Sequence, residues 1–159
     1  VYRKIRRIHM RRKDREKSRE FALEVTDKCE WAVLSMTDQE GMPYAVPVTI
    51  VRDGDFVYFH TAKAGKKIDI LNRHPQVCLV CVGDTERQTD SFTTLYESAV
   101  INGTICEVTE DEEKIHALRI LCERHTPANM GQFDKEVARS LKITGVWKIH
   151  IEEITGKAK

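Results

Sequence analysis

Two prolines inside one otherwise regular strand pattern constrain this chain more than any other feature. Over residues 43–51 the side chains alternate, with Tyr44, Val46, Val48 and Ile50 on one face and Ala45, Pro47, Thr49 and Val51 on the other. Pro43 and Pro47 have no backbone N–H to give to a neighbour, so a strand over 43–51 must lie at a sheet edge or interrupt its pairing. A gap of that kind in a sheet is a natural place for a ligand.

The remaining elements follow from periodicity and turn chemistry. Phe21, Ala22, Val25 and Cys29 recur at helical spacing, which predicts an amphipathic helix over about 14–29 with Ser18 as a cap. Strands are expected over 31–37, 43–51 and 56–61, joined by turns at 38–41 and 52–55 into a hairpin and then a meander. A helix over about 64–73 is stopped by His74 and Pro75. A fourth strand over 76–82 precedes a polar stretch, 83–90, which reads as a mobile loop, and a long fifth strand covers 92–108. Thr109 to Glu112 has a capping-box pattern opening a helix to about 124, with Ile115, Leu118 and Cys122 as its buried stripe. A shorter helix over 134–141 leads to a sixth strand over 143–154, where Trp147, Ile149 and Ile151 point inward. Trp31 and Trp147 are expected to fill the interior, and Tyr96 to lie in the core or an interface. Six antiparallel strands with inserted helices predict an α+β architecture, a small barrel with helices packed outside.

Charge divides the chain unevenly. Residues 1–19 carry ten Lys/Arg against Asp14 and Glu16, a balance of +8, whereas the rest carries −7, for a total of +1. The organisation expected is therefore a basic N-terminal arm, 1–13, followed by one domain, 14–159. The arm is expected to lie along an acidic body rather than bind nucleic acid, because no aromatic-rich nucleic-acid module follows it. No run of 18 apolar residues and no apolar signal core is present, so neither a membrane span nor export is expected, and a cytoplasmic location is. The five cysteines lack a disulfide-scaffold spacing and are expected to be reduced. Cys78 and Cys81 form a CxxC, but strand geometry sends residues three apart to opposite faces, which argues against a shared metal ion.

The chemistry concentrates at residues 56–71. An alternating strand ending in His60 and Thr61 passes through a loop containing Gly65 into a helix that opens with Lys66 and Lys67. Unpaired N–H groups at a helix start, reinforced by ammonium groups, favour a phosphate. The stretch matches neither a Rossmann nor a P-loop fingerprint. The same lysines also fit an ordinary solvated helix face, and His60 fits a strand-end residue that satisfies a carbonyl. His116 and His125 lie nine apart, unsuited to a helical metal pair, and no metal is expected.

Taken together, four segments resemble the FMN-binding split barrels related to pyridoxamine 5'-phosphate oxidase, and most closely their 5-nitroimidazole-resistance branch. They are Met10-Arg11-Arg12-Lys13-Asp14-Arg15, Gly41-Met42-Pro43-Tyr44-Ala45-Val46-Pro47-Val48, the stretch from Tyr58 to Asp69, and Phe92 to Gly103. The resemblance covers about residues 10–155 and implies a six-stranded antiparallel split β-barrel with peripheral helices. It implies that Val46, Pro47, Val48 and Thr49 line the isoalloxazine ring of FMN. His60 and Thr61 flank the ring and ribityl chain, and Lys66 and Lys67 hold the phosphate, with Lys63 as a further candidate. It also implies a homodimer with FMN at the subunit interface and a small-molecule electron acceptor, such as a nitro compound, reduced through the flavin; His60 is the candidate catalytic residue, donating a proton to the reduced acceptor or stacking beside the ring. Two departures stand against vitamin B6 synthesis: Ala45 or Val46 stands where pyridoxamine phosphate oxidases carry an arginine, and the C-terminus lacks an Arg-x-His motif. A non-catalytic flavin- or haem-binding barrel and a regulatory protein with a nucleic-acid-binding arm are the alternative readings.

Overall fold

The computed structural model describes residues 10–159, so most of the expected basic arm, residues 1–9, lies outside the described residues. A 3-10 turn at Lys13–Arg15 leads into β1 (Glu16–Lys17), α1 (Arg19–Lys28), β2 (Ala32–Thr37), β3 (Pro43–Val48), β4 (Val51–Asp53) and β5 (Phe56–Ala62). The chain continues through α2 (Lys66–Leu71), β6 (Gln76–Gln88), β7 (Thr93–Glu107), α3 (Asp111–His125), a 3-10 segment (Pro127–Gln132), α4 (Phe133–Ser140) and β8 (Thr144–Ala158). Ser18 caps α1 as expected, its hydroxyl accepting from the Phe21 N–H at 3.1 Å.

The sheet is antiparallel throughout and runs in the order β3-β2-β6-β7-β8-β5-β4, with β1 added on β8. β3 and β4 occupy opposite ends of this path, yet only Thr49 and Ile50 separate them in sequence. Three residue steps reach at most about 11 Å. The two edges of the sheet are therefore rolled to within that distance of each other, and the chain itself crosses the seam. This is a split barrel: the expected single strand over 43–51 breaks at the seam, its first part pairing with β2 and its last with β5. The prolines sit on β3, an edge strand as their missing donors require.

Eight strands replace the expected six. Besides the break at the seam and the short β1, the stretch expected as a mobile loop belongs to β6, where Thr85 to Gln88 pair with Thr93 to Tyr96 beyond a register shift between Val82 and Thr85. That end of the β6–β7 ribbon carries polar side chains on both faces, so alternation could not announce it. In α3 the capping box does not form: Glu110 is the N-cap and makes no side-chain cap bond. The buried stripe is Lys114, Ala117 and Leu121, one residue from the expected one. The shift arises because Lys114 buries its stem and donates from Nζ to the Leu141 carbonyl at 2.5 Å, putting a charged residue where hydropathy points to solvent.

The barrel interior is filled by Leu34, Ile50, Val57, Phe59, Leu79, Ile101, Ile105 and Ile149, with Trp147 among them and α1 covering one end through Ala22, Val25 and Cys29. Trp31 does not join them. It lies just before β2 and is 54% exposed, because Ala32 and Leu34 take the inward positions. Tyr96 is only half-buried, under the Lys157 ammonium. Cys81 is buried and Cys78 is not, consistent with opposite faces. A second, smaller cluster of Val51, Tyr58, Val108, Ala117, Leu121 and Val146 docks α3 on the outside. Beside it the Tyr58 hydroxyl donates to Glu113 Oε1 at 2.9 Å, and Lys148 Nζ donates to both Glu113 oxygens at 2.7 and 2.8 Å.

Gly103 marks the tightest backbone approach. A Cβ built there would stand 2.0 Å from the His150 carbonyl oxygen, at the point where the β7–β8 register shifts. A backbone oxygen cannot swing aside as a side chain would. Gly103→Ala is expected to cost about 1–3 kcal/mol, read as a lower midpoint in urea unfolding with unchanged slope.

Candidate functional site

The expected site residues come from three neighbouring elements: the edge strand β3, the end of β5 and the start of α2. Along β5, Val57 and Phe59 point into the barrel, whereas Tyr58 and His60 point to the outside, where α3 packs. Thr61 is half-buried and pairs with Gly145 of β8. Gly65, at φ 125°, lets the chain turn sharply into α2, which is shorter than expected at six residues and is held down by Ile68, Ile70 and Leu71. So short a helix adds little dipole, and the positive character of the corner comes from its lysines.

Those lysines are placed over aromatic rings. Lys66 Nζ lies 4.7 Å from the Tyr44 ring centroid and Lys67 Nζ 5.6 Å from that of Phe59. Neither forms an ion pair with a carboxylate among the described residues. Burial pushes the Lys67 ammonium below its ordinary pKa. The His60 imidazole is likewise held below 6.5, chiefly by burial and then by the charge of Lys67, so histidine and lysine are electrostatic neighbours. The charge of Lys63 acts on Lys114.

On β3 the faces divide as the pattern implies. Val48 is buried in the core and Val46 packs against it, while Pro47 is exposed. Any contact Val48 makes with a ligand therefore comes from its backbone. Thr49 stands at the seam and, with His60, lines a cavity of about 510 Å³ beneath α3 and α4. A second cleft, of about 470 Å³, lies on the other side of the edge strand between Trp31, Val33, Ala45, Val46 and Pro47.

Sequence reasoning missed the groups that hold the seam. The Ile50 carbonyl accepts from Arg124 Nη1 at 2.9 Å and from His125 Nε2 at 2.7 Å, and Arg124 Nη2 donates to the Cys29 carbonyl at 2.6 Å. Two residues at the end of α3 thus fasten the crossover on which Thr49 sits. No spacing links positions 50 and 124, so only a basic pair ending a helix hinted at it. Among the described residues no group of three or more His, Cys, Asp or Glu side chains is arranged to hold a metal ion, and no helix is long and apolar enough to cross a membrane.

An edge strand, a strand end and a cationic corner around a split barrel define a recognisable class, and comparison with known proteins agrees. Residues 18–158 match the pyridoxamine 5'-phosphate oxidase family, and the chain belongs to it. A similar solved structure is a candidate 5-nitroimidazole antibiotic resistance protein from Bacteroides thetaiotaomicron, 26% identical, with a TM-score of 0.73 over 89% of this chain and 84% of that one. A flavocytochrome from Azotobacter vinelandii superposes with a TM-score of 0.80 at 20% identity, over 95% of this chain and 72% of that one. An FAD and heme binding protein from Mycobacterium smegmatis does so at 0.77 and 20%, over 91% and 73%. No curated protein sequence matches the chain.

Two outcomes are expected from this geometry. Arg124→Met removes two charge-assisted bonds, one to the Ile50 carbonyl of the crossover and one to the Cys29 carbonyl, and should cost about 2–3 kcal/mol, measured by chemical denaturation. In an NMR titration the His60 ring should be mostly neutral at pH 7, its pKa below 6.5, and Lys67→Gln should raise that pKa part of the way back. A His60 pKa indifferent to Lys67 would separate the two side chains.

Proposed function

We propose that this protein binds FMN at the corner formed by β3, the end of β5 and α2, and uses it to reduce a nitro group or similar small acceptor. The observation that carries the reading is the pair Lys66 and Lys67, cations without carboxylate partners among the described residues, beside His60 in a chain of this family. An ammonium resting on an aromatic face remains available to an anion, so the donor set suits a phosphate dianion. The free side of β3 suits the edge of a planar ring, with Val46, Pro47, Val48 and Thr49 alongside it. His60 and Thr61 then stand at the ring and ribityl chain.

Bound flavin supplies the electron and hydride chemistry. The chain's own residues bind, orient and shelter it. Lys66 and Lys67 neutralise the phosphate, and the buried flank of the barrel excludes water from one side. The His60 imidazole is held below its ordinary pKa, chiefly by desolvation and then by Lys67, so it can donate a hydrogen bond from one ring nitrogen and accept one at the other, and it would hand a proton to an acceptor only as a relay, taking one up at its second nitrogen as it gives one from the first. The likeness to the candidate nitroimidazole resistance protein supports a nitro compound as acceptor, and the two flavoproteins of the same fold support flavin.

We further propose a homodimer with the flavin at its interface. Across the outer face, Pro47, Val33, Val80 and Val100 stand in register on four successive strands, flanked by Trp31 at 54% and Val82 at 47% exposure. An apolar stripe of that width is the kind of surface a second copy covers. It borders the cleft beside β3, so a partner seated there would close over the ring. The heme binding of one neighbour favours a second reading, in which the same barrel carries heme or flavin without turnover.

Each charge-assisted phosphate contact contributes about 1.5–3 kcal/mol when sheltered. The Lys66→Ala/Lys67→Ala double variant should bind FMN at least about a hundredfold more weakly, followed by loss of flavin absorbance at about 450 nm on dialysis. Parental affinity in that variant would refute the phosphate assignment. A band at about 400 nm in the purified protein would instead support heme.

A further inference from the structure

We infer that Cys29 and Cys81 are an oxidation site, a redox-active pair at which hydrogen peroxide converts two thiols into an internal disulfide. Neither cysteine takes part in the flavin chemistry proposed above. Cys29 ends α1, and three residues further on Ala32 stands opposite Cys81 in the β2–β6 pairing, so the chain leaving the helix passes beside β6. The two side chains are buried in the same core cluster, and their sulfurs lie within hydrogen-bonding reach of each other. A disulfide demands that proximity. Both are free thiols in the structure, as are Cys78, on the opposite face of β6, and the exposed Cys106.

One cation sets the two sulfurs apart. Arg124, whose Nη2 donates to the Cys29 carbonyl at 2.6 Å, also acts on the Cys29 thiol. The hydrogen bond from Cys81, opposed by burial and helped by the Arg124 charge, brings that thiol down to about 7, while the same bond and burial push Cys81 up. Cys29 is therefore the nucleophile and Cys81 the resolving thiol. Access runs through a cleft of about 430 Å³ lined by Cys29 itself, by Trp31 and Val82, and by Lys28 and Asp84, which are ion-paired at 2.8 Å. Hydrogen peroxide, little larger than water, fits a cleft of that size. The Cys29 thiolate attacks one peroxide oxygen: an S–O bond forms, the O–O bond breaks, and the departing hydroxide takes up the proton that Cys29 had released. Cys29 becomes a sulfenic acid, its sulfur having given two electrons to the peroxide. The Cys81 sulfur then attacks that sulfur, so that S–S forms as S–O breaks, and the Cys81 proton leaves with the hydroxyl as a second water. The new bond ties the end of α1 to β6 beside the guanidinium that holds the seam.

The inference stands apart from the flavin assignment, because the oxidant is added from outside. The purified protein, with whatever cofactor it carries, is treated with a small molar excess of hydrogen peroxide at about pH 7.5. Remaining thiols are alkylated under denaturing conditions and the peptides mapped by mass spectrometry. Two of the five thiols should disappear, joined as a Cys29–Cys81 peptide pair that dithiothreitol separates. The exposed Cys106 is the internal comparison: exposure alone favours it, yet the pair should oxidise at least about tenfold faster, as a thiolate does over a thiol. In Cys81→Ala, which lacks the resolving thiol, dimedone should label Cys29, and in Cys29→Ala it should leave Cys81 unlabelled. Oxidation of Cys106 ahead of the pair, a disulfide joining any other cysteines, or thiols at 29 and 81 that survive the peroxide would each overturn the inference, and so would a dimedone label on Cys81 in Cys29→Ala. The mapping of the unaltered chain decides the matter even where a variant does not fold.

Discussion

The Ile50 carbonyl, held by Arg124 and His125, is the contact on which the site depends. A sheet whose two end strands are joined by Thr49 and Ile50 must curl, and the curl leaves a seam where β3 and β4 cannot pair with each other. Backbone groups at such a seam lack sheet partners, and a buried carbonyl without a donor costs free energy comparable to a lost hydrogen bond. Here the donors come from the end of a helix more than seventy residues away in sequence. The same guanidinium reaches the Cys29 carbonyl, so α1, the seam and α3 are fastened at one point. The same three hydrogen bonds hold the seam and position Thr49.

Much of this was legible before any coordinates. The prolines at 43 and 47 required an edge, and the structure puts β3 at one. Alternation found the inward residues of the last strand, and Ser18 announced the first helix. What failed did so for identifiable reasons. The outer half of β6 is solvated on both faces, so nothing apolar marked it as a strand. Lys114 hides a long apolar stem behind a charged name, which rotated the expected face of α3 by one residue. Trp31 is large and aromatic, but inward positions alternate strictly and Ala32 had taken one.

The candidate site divides along the same line. Its lysines and His60 are contiguous in sequence, and a strand-to-helix corner was enough to bring them together. Lys63, the further candidate, lies close enough to Lys114 for its charge to act there. Arg124 and His125 act through a carbonyl on another element, and such contacts leave no periodicity to read. His125 had been set aside as a poor metal ligand. In the structure it serves as a donor to the seam, from Nε2 to the Ile50 carbonyl.

His60 stands where two environments meet, and strand geometry explains why. On β5 the odd residues Val57 and Phe59 fill the barrel, so Tyr58 and His60 face outward toward α3. Lys67 Nζ lies 5.6 Å from the centroid of the Phe59 ring, and its charge acts on His60. Desolvation and the Lys67 charge both disfavour the imidazolium. Shifting β5 by one residue would exchange His60 with Phe59, burying the imidazole in the core and separating it from both the cavity and the corner. The register of β5 against β8, which places Phe59 opposite Trp147, is therefore what keeps His60 on the outer face, toward α3 and within reach of the Lys67 charge.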